Sequence, residues 1–337
     1  MSNAPPVSVV MPVHNGERFL DAGVRSILDQ TFQDFEFVIL DDASTDRTPD
    51  MLADWARRDP RIRLARGNVR LGCAGGGNRL VTEARAPLCA RMDADDVSDP
   101  DRLRRQVSVM NSRPEVCLIG TLWDGIDAAG RPIRPVDRWR VLRRSPFAPF
   151  MHGSITFRRE AFWRAGGYRE ACEHWEDLDL YIRMSELGPV VVLLDLLYHY
   201  RLHLEGSVLR SDQGELRKAL DLMRRCLAAR RARLDYGALL DGAGNLSTGA
   251  LDPYYLYAIG ARRLWAGLRP GIVGQIPRMR RWPLSLRAGA VLVLAFWGES
   301  HPRSLLAALR AHIRVLDALA GLRLPLGKGA VAEWRFA

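Results

Sequence analysis

The stretch Ala90-Arg-Met-Asp-Ala-Asp-Asp-Val-Ser-Asp-Pro100 places Asp93, Asp95 and Asp96 within four positions, directly after the apolar or neutral lead from Pro87. Like charges this close repel, so a folded chain keeps them in a fully solvated turn or beside a cation. For an isolated Asp-x-Asp the solvated turn is the better reading. Here the cluster follows a series of apolar strands, and the end of a buried strand is where hard oxygen ligands hold a divalent metal and, through it, a diphosphate. Two further acidic pairs stand in comparable places. Asp41-Asp42 closes the run Phe35–Leu40, and Glu176-Asp177 follows His174-Trp175.

The elements that must position these groups are legible from pattern. Val7–Val13 is a short β-branched apolar run followed by the turn signal His14-Asn15-Gly16, hence a buried first strand. Phe19, Leu20, Val24, Ile27 and Leu28 lie at helical spacing within 17–30. Phe35–Leu40 is a second strand, Thr48-Pro49 is an N-cap with Pro at the first helical position of a helix through about Arg58, and Ile62–Ala65 is a weaker third strand. A helix over Asn78–Ala84 precedes the acidic turn. Strand and helix alternating in this way predict an α/β domain with a mostly parallel sheet flanked by helices. Ligands of such sheets bind beyond the carboxyl ends of the strands, where His14-Asn15, Asp41-Asp42 and Asp93–Asp96 all fall. The Gly-rich segment Gly72–Gly77 reads as a loop able to approach a ligand closely, or as a tight turn, with equal weight. It matches neither a dinucleotide fingerprint nor a P-loop.

Beyond Pro100, a helix with Leu103, Val107 and Met110 leads to a strand at Val116–Gly120. Residues 124–150 are rich in Pro, Arg and Asp and read as an irregular connection; His152–Phe157 resumes as a strand. Arg159–Ala165 is a short helix broken by Gly166-Gly167. Asp177 opens the next helix, where the helix dipole favours a carboxylate. That dipole alone would explain either Glu176 or Asp177, but not His174 and Trp175 beside them. Val190–Asp195 is a strand, and Leu197–His203 leaves it.

With 337 residues and a 47% hydrophobic composition, one large domain with an appendage can bury a substantial core. The net charge of +10 sits mainly in the tail: Leu251–Ala337 carries 13 basic residues against 4 acidic. The boundary falls near 210, with a catalytic unit over 1–210 and a helical, basic extension over 211–337. Ala288–Trp297 is uncharged but shorter than the roughly 20 residues of a membrane span. Together with Arg278, Arg280, Arg281, Trp282 and Arg287, the run 278–298 suits peripheral attachment to an anionic membrane surface, and equally well packing on the catalytic unit. Five scattered cysteines without Cys-x-x-Cys spacing argue for reduced thiols, and the N-terminus lacks a secretory pattern, so a cytoplasmic chain is expected.

Taken in order, these motifs identify a resemblance to family 2 glycosyltransferases of the GT-A fold, of the bacterial polysaccharide-assembly kind, over about residues 7–205. Val7–Glu17 resembles the opening strand and loop that hold the nucleobase, so Pro12, Val13, His14, Asn15 and Glu17 are implied there. Leu40–Asp46 is similar to the segment whose aspartate receives the base's imino hydrogen, implying Asp42 with Asp41 adjacent. Ala90–Asp96 resembles the DxD region: Asp95 as ligand of Mg²⁺ or Mn²⁺, Asp93 toward the ribose or the metal, with Arg91, Met92 and Ala94 beside them. Gly72 and Asn78 complete the implied nucleotide-sugar contacts. His174–Leu180 looks like the segment of the catalytic base, which assigns Asp177 that role with Glu176 as the alternative. His152, Trp175, Tyr200, Arg201 and His203 are implied on the acceptor or diphosphate side. Many relatives carry an arginine just before the asparagine at 78, where this chain has Gly77. The QxxRW signature of processive synthases is absent, which favours transfer of single sugars.

The resemblance thus implies an inverting, metal-dependent enzyme taking a nucleoside-diphosphate sugar of the UDP or dTDP type to a hydroxyl of a glycan or lipid-linked acceptor. A nucleotidyltransferase would want a basic Gly-rich loop near the N-terminus, which Pro12–Asn15 is not. An oxidoreductase lacks its fingerprint after the first strand. A degenerate transferase that only binds carbohydrate is opposed by intact carboxylates at 95 and 177. Nucleic acid is not an expected partner, because only the charge of the tail points to it.

Overall fold

The computed structural model describes residues 4–134, 150–203, 222, 225–226 and 330–334. In chain order the elements are β1 Val7–Val13, α1 Leu20–Leu28, β2 Phe35–Asp42, α2 Thr48–Arg58, β3 Ile62–Gly67, α3 Gly72–Glu83, β4 Leu88–Arg91, β5 Val97–Ser98, α4 Arg102–Ser112, β6 Leu118–Ile126, β7 Pro132–Arg134, β8 Thr156–Arg158, α5 Arg159–Arg164, α6 Glu176–Ser185, β9 Val190–Arg201 and β10 Val331–Trp334. Short 3₁₀ turns lie at His152–Ser154 and Glu170–Cys172.

Ten strands form one sheet in the order β10-β9-β6-β8-β4-β1-β2-β3, with β5 on β9 and β7 on β6. The half built from β3, β2, β1 and β4 is parallel. From there the sheet is mixed: β8 runs antiparallel to both β4 and β6, β6 is parallel to β9, and β10 is antiparallel to β9. The mostly parallel expectation therefore holds for the N-terminal half, where β1, β2 and β3 are each followed by a crossover helix.

Period-two alternation sorts the strand side chains onto two cores. Val7, Val9 and Met11 of β1, with Phe35, Phe37 and Ile39 of β2, pack under α1, α2 and α4 through Leu20, Ile27, Leu52, Leu103 and Met110. Val10, Val38 and Leu40 face the other way, against Ala74 and Leu80 of α3, Phe162 of α5 and Leu180 of α6. Both faces are covered, which is why these strands read as continuous apolar runs.

Several boundaries differ from the sequence reading: His152–Ser154 is a 3₁₀ turn and only Thr156–Arg158 a strand, and β6 and β7 extend ordered strands into the segment expected as an irregular connection. α3 starts at Gly72, so the glycines form its first turns and not a loop; small residues let the helix lie close to the sheet, and the Cβ that Gly76 lacks would stand 3.4 Å from Leu40. β9 runs on to Arg201, because its last residues pair with β6 as far as Ile126 and with the two-residue β5. At α2, Thr48 is already helical, and the Asp46 carboxylate accepts the Thr48 N–H at 2.9 Å.

All these elements belong to one compact unit; of the described residues Leu202, His203, Leu222, Arg225 and Cys226 belong to a second. The last strand, β10 at Val331–Trp334, is an edge of this sheet, antiparallel to β9. The helices read over Glu215–Arg233 and Pro253–Leu268, and the run 278–298, lie outside the described residues. Among the described residues no helix is long and apolar enough to cross a membrane.

One buried cation stitches the site-bearing edge together. Arg102, 0% exposed, donates to Ser98 Oγ at 2.8 Å and to the carbonyls of Arg91 at 2.9 Å and Gly153 at 2.8 Å. Burial lowers its pKa to about 10. Arg102→Met would leave those carbonyls without donors, and the expected loss of unfolding free energy is about 2–4 kcal/mol. Urea denaturation measures it; an unmoved midpoint would remove this role.

Candidate functional site

The loops after β1 and β2 are laced together at the carboxyl edge of the sheet. His14 Nδ1 lies 2.8 Å from the Asp42 carbonyl, Asn15 Oδ1 accepts the Thr45 N–H at 2.8 Å, and the Asn15 N–H donates to Ser44 Oγ at 2.9 Å. Glu17 reaches Arg47 N at 3.1 Å. Asn15 and Ala43 take positive φ of 51° and 58°. Such backbone costs energy in a non-glycine residue and is kept where the surroundings hold it, often at binding edges. Pro12 is half-buried and Val13 buried beneath this edge.

Asp41 and Asp42 are both 4% exposed and hold backbone. Asp41 Oδ1 accepts the Ser44 N–H at 3.0 Å; the Asp42 carboxylate accepts Leu71 N at 2.7 Å and Gly72 N at 3.1 Å. Glu173, which the sequence reading did not single out, accepts Cys73 N at 3.1 Å and Ala74 N at 3.3 Å. Two carboxylates thus satisfy the first N–H groups of α3, where the helix dipole favours negative charge. Gly72 sits there with φ +72°, and a Cβ would meet Glu173 Oε1 at 3.0 Å.

The acidic turn divides its carboxylates by role. Asp96 is 1% exposed and accepts Tyr198 Oη and Arg201 N, each at 2.7 Å. Asp93 and Asp95 are half-buried, beside the intermediate Ala94 and the buried Met92. Asp93 pairs with Arg91 Nη2 at 3.2 Å. Its pKa is raised by burial, with the Asp95 charge adding to the shift and Arg91 opposing it. Burial, with the Asp95 and Asp93 charges, pushes Asp96 well above the usual carboxylate range. Among the described residues no cluster of three or more His, Cys, Asp or Glu side chains is placed to hold a metal unaided. Two crowded, half-buried carboxylates nevertheless suit Mg²⁺ or Mn²⁺, which are commonly bound by one or two carboxylates together with substrate phosphates and water.

Opposite stands the start of α6. The turn before it carries a third non-glycine residue at positive φ, His174 at +78°. Glu176 is 6% exposed; burial, then the neighbouring Asp177 and Glu173 charges, push its carboxyl up to about 8. Asp177 is half-buried in the first helical turn. Burial pushes the Tyr168 and Tyr181 hydroxyls up, and the Asp93, Glu176 and Asp177 charges add to the shift of both. His152 Nε2 is 2.6 Å from Tyr168 Oη, and burial beside Arg91 holds its imidazole well below the usual histidine range, hence neutral.

Several predicted residues serve as braces here. Asn78 bonds the backbone of Tyr168 twice, at 2.8 and 2.9 Å. Arg201 is buried, donates to the Asp95 carbonyl at 2.6 Å and the Asp127 carbonyl at 3.1 Å, and stacks over Phe19 at 4.8 Å. Tyr200 lies edge-on to Trp123 at 5.9 Å, and Trp175 is 4% exposed; His203, expected on the acceptor side, falls in the second unit. Gly77 has a steric cause: a Cβ there would stand 2.6 Å from the Tyr168 ring. Tyr168, Tyr181, Glu173 and Asp96 went unassigned in the sequence because their roles are hydrogen-bonding and packing relations across the chain; the only local hint was Gly166-Gly167, both at positive φ just before Tyr168.

The family model described as glycosyl transferase family 2 matches residues 8–173. EpsE of Bacillus subtilis is 33% identical over 195 residues, covering 56% of this chain and 69% of EpsE. The O-antigen biosynthesis glycosyltransferase WbnJ of Escherichia coli is 28% identical over 206 residues, 58% of this chain and 80% of WbnJ. Among solved structures, the mannosyltransferase PcManGT from Pyrobaculum calidifontis, in complex with GDP-Man and Mn²⁺, superposes with TM-score 0.55 at 19% identity over 94% of this chain and 87% of that one. S. aureus TarS 1-349 with UDP-GlcNAc does so with TM-score 0.54 at 16% identity, over 97% and 96%. These likenesses carry the GT-A fold.

Glu176 makes stability depend on pH. Its folded value, near 8, exceeds its ordinary 4.5, so between those values the folded chain holds the extra proton and stability falls as pH rises. Glu176→Gln cannot ionise. Its melting temperature should match wild type near pH 4.5 and exceed it increasingly up to pH 8; a pH-independent difference would contradict the assignment. Gly77→Arg should lower the melting temperature at every pH, because Tyr168 must leave its place.

Proposed function

The chain belongs to glycosyl transferase family 2 and is a glycosyltransferase, and on that premise we propose that it moves one sugar from a nucleoside-diphosphate donor, with inversion, to a hydroxyl of a glycan or lipid-linked acceptor in cell-surface polysaccharide assembly. One observation carries the reading: the charges of Asp93 and of the Glu176-Asp177 pair, remote in sequence, both act on the same two buried tyrosine hydroxyls. A transferase needs a cation on the leaving-group side and a base on the acceptor side. The names of WbnJ and of the nucleotide-sugar complexes of PcManGT and TarS support the same direction.

Asp177 takes the proton of the acceptor hydroxyl as its oxygen attacks the anomeric carbon. The bond from that carbon to the donor's phosphate oxygen breaks, and attack from the opposite face inverts the centre. Asp95, with Asp93, would hold Mg²⁺ or Mn²⁺, which when bound neutralises charge on the departing diphosphate. Arg201 and Asp96 keep that turn in place through the Asp95 carbonyl and the Tyr198 hydroxyl. The loops around Asn15, Asp41 and Asp42 would receive the base, a uracil- or thymine-type imide. The basic run 278–298 would bring the enzyme to the inner face of the cytoplasmic membrane.

Binding and turnover with purified protein, with and without Mn²⁺, test this. Asp95→Ala should abolish metal-dependent binding of the nucleotide sugar. Asp177→Asn should bind within about twofold of wild type while losing turnover by about 10³-fold or more. Binding of no nucleotide under any metal condition would sink the reading.

A further inference from the structure

Among the described residues the large apolar side chains left exposed include Val69 at 72%, Leu71 at 40% and Trp163 at 43%. A lone exposed aliphatic is ordinary and carries no meaning. These three follow one helix. Val69 and Leu71 lead into α3, Gly75 stands one turn beyond Leu71, and Asn78 follows at the next turn of the same face. A Cβ on Gly75 would lie 3.2 Å from Leu71 Cβ, and a Cβ on Gly167 would meet both Asn78 Oδ1 at 2.7 Å and the Trp163 ring at 3.2 Å. A single face thus runs from Leu71 along α3 to Trp163 of α5.

The loop that opens this face is basic and fastened. Between Pro60 and Glu83 the chain carries Arg61, Arg63, Arg66, Arg70 and Arg79 and no acidic residue. Arg66, its side chain 73% exposed, and the exposed Arg70 flank Val69. The Arg66 carbonyl accepts Arg79 Nη2 at 3.0 Å, and the N–H groups of Leu71 and Gly72 are held by the Asp42 carboxylate at 2.7 and 3.1 Å. The backbone is therefore tied at both ends while Val69 and Arg70 stand in water, and apolar area kept exposed by a fixed backbone is recovered only by burial against something else. A protein interface gathers its apolar residues in a core depleted of charge, whereas Val69-Arg70-Leu71 alternates aliphatic with cation. Aliphatic side chains, a tryptophan and arginines together suit the boundary of a bilayer, where the apolar parts enter the acyl edge and the guanidinium groups meet lipid phosphates. Glu170, also exposed, stands 3.7 Å from the Cβ that Gly75 lacks and works against that attraction.

We propose that Arg66, Val69, Arg70, Leu71 and Trp163 form a contact of the catalytic unit with an anionic lipid surface, separate from the basic run 278–298. Because the same loop is bonded to Asp42, the contact sets the nucleotide edge beside the bilayer, which fits an acceptor carried on a lipid. The contact does not depend on the transferase reading; that acceptor class rests on it.

Sedimentation of the full chain with sucrose-loaded vesicles tests it, using phosphatidylglycerol with phosphatidylethanolamine against phosphatidylcholine alone. Wild type should partition to the anionic vesicles. With the tail intact, Arg70→Glu should weaken that partition by about tenfold or more, Val69→Ser and Trp163→Ser by about fivefold each, and Glu170→Gln should strengthen it by about fivefold. A melting temperature within about 2 °C of wild type certifies each fold; should Trp163→Ser unfold, the variants at Val69, Arg70 and Glu170 decide. Arg280→Gln with Arg281→Gln is the tail control. Unchanged partition in the variants of this face, or a wild type that binds neither vesicle, overturns the contact, and loss confined to the tail control assigns the attachment to 278–298 instead. If light scattering shows Val69→Ser and Arg70→Glu splitting a dimer without changing vesicle binding, the face joins two copies and the lipid contact falls. Vesicle binding that depends on this face, in a chain that binds no nucleoside diphosphate, keeps the contact and removes the transferase reading together with the lipid-carried acceptor.

Discussion

The fold at the site depends on how one turn accommodates three aspartates in four positions. Like charges at that spacing cannot all be ionised in a low-dielectric edge without compensation. The chain resolves this by giving Asp96 away to structure. Its carboxyl is buried under Tyr198 Oη and Arg201 N, two residues at the far end of β9. Asp93 and Asp95 are left half-buried, one of them held by Arg91. A buried, satisfied carboxyl thus anchors the turn that carries the other two.

That anchor explains why β9 is longer than its apolar run. The strand must reach Arg201 so that its backbone N–H meets Asp96 and its guanidinium meets the Asp95 and Asp127 carbonyls. Behind the turn, Arg102 performs the matching task on the carbonyls of Arg91 and Gly153. On the opposite wall, Asp42 and Glu173 share the amino end of α3, and the strained His174 lies between Glu173 and the helix that presents Asp177. Buried charges that make backbone hydrogen bonds are costly to remove and hold their neighbours in one geometry.

Much of this was legible in the sequence where signals are local. The strand-ending positions of Asp41-Asp42 and Asp93–Asp96, the helix opening at Asp177 and the alternation of β1 and β2 all follow from period and composition. The glycines of 72–77 were not legible in the same way. Glycine reads as a loop because of its conformational freedom, yet here the missing side chains admit the Tyr168 ring at Gly77 and close packing on the sheet at Gly76. The mixed half of the sheet escaped for a related reason: strand direction depends on which strand lies alongside, and β8 enters between β4 and β6 from far along the chain.

The sequence by itself determined the class of chemistry, the order of the elements and the strand ends at which the carboxylates lie, because these depend on residue type and short-range periodicity. Tertiary structure decided which carboxylate braces the acidic turn and why Asn78 and Arg201 hold backbone. Burial and partner identity are properties of residues brought together from distant parts of the chain, and they alone distinguish one acidic side chain from its neighbour.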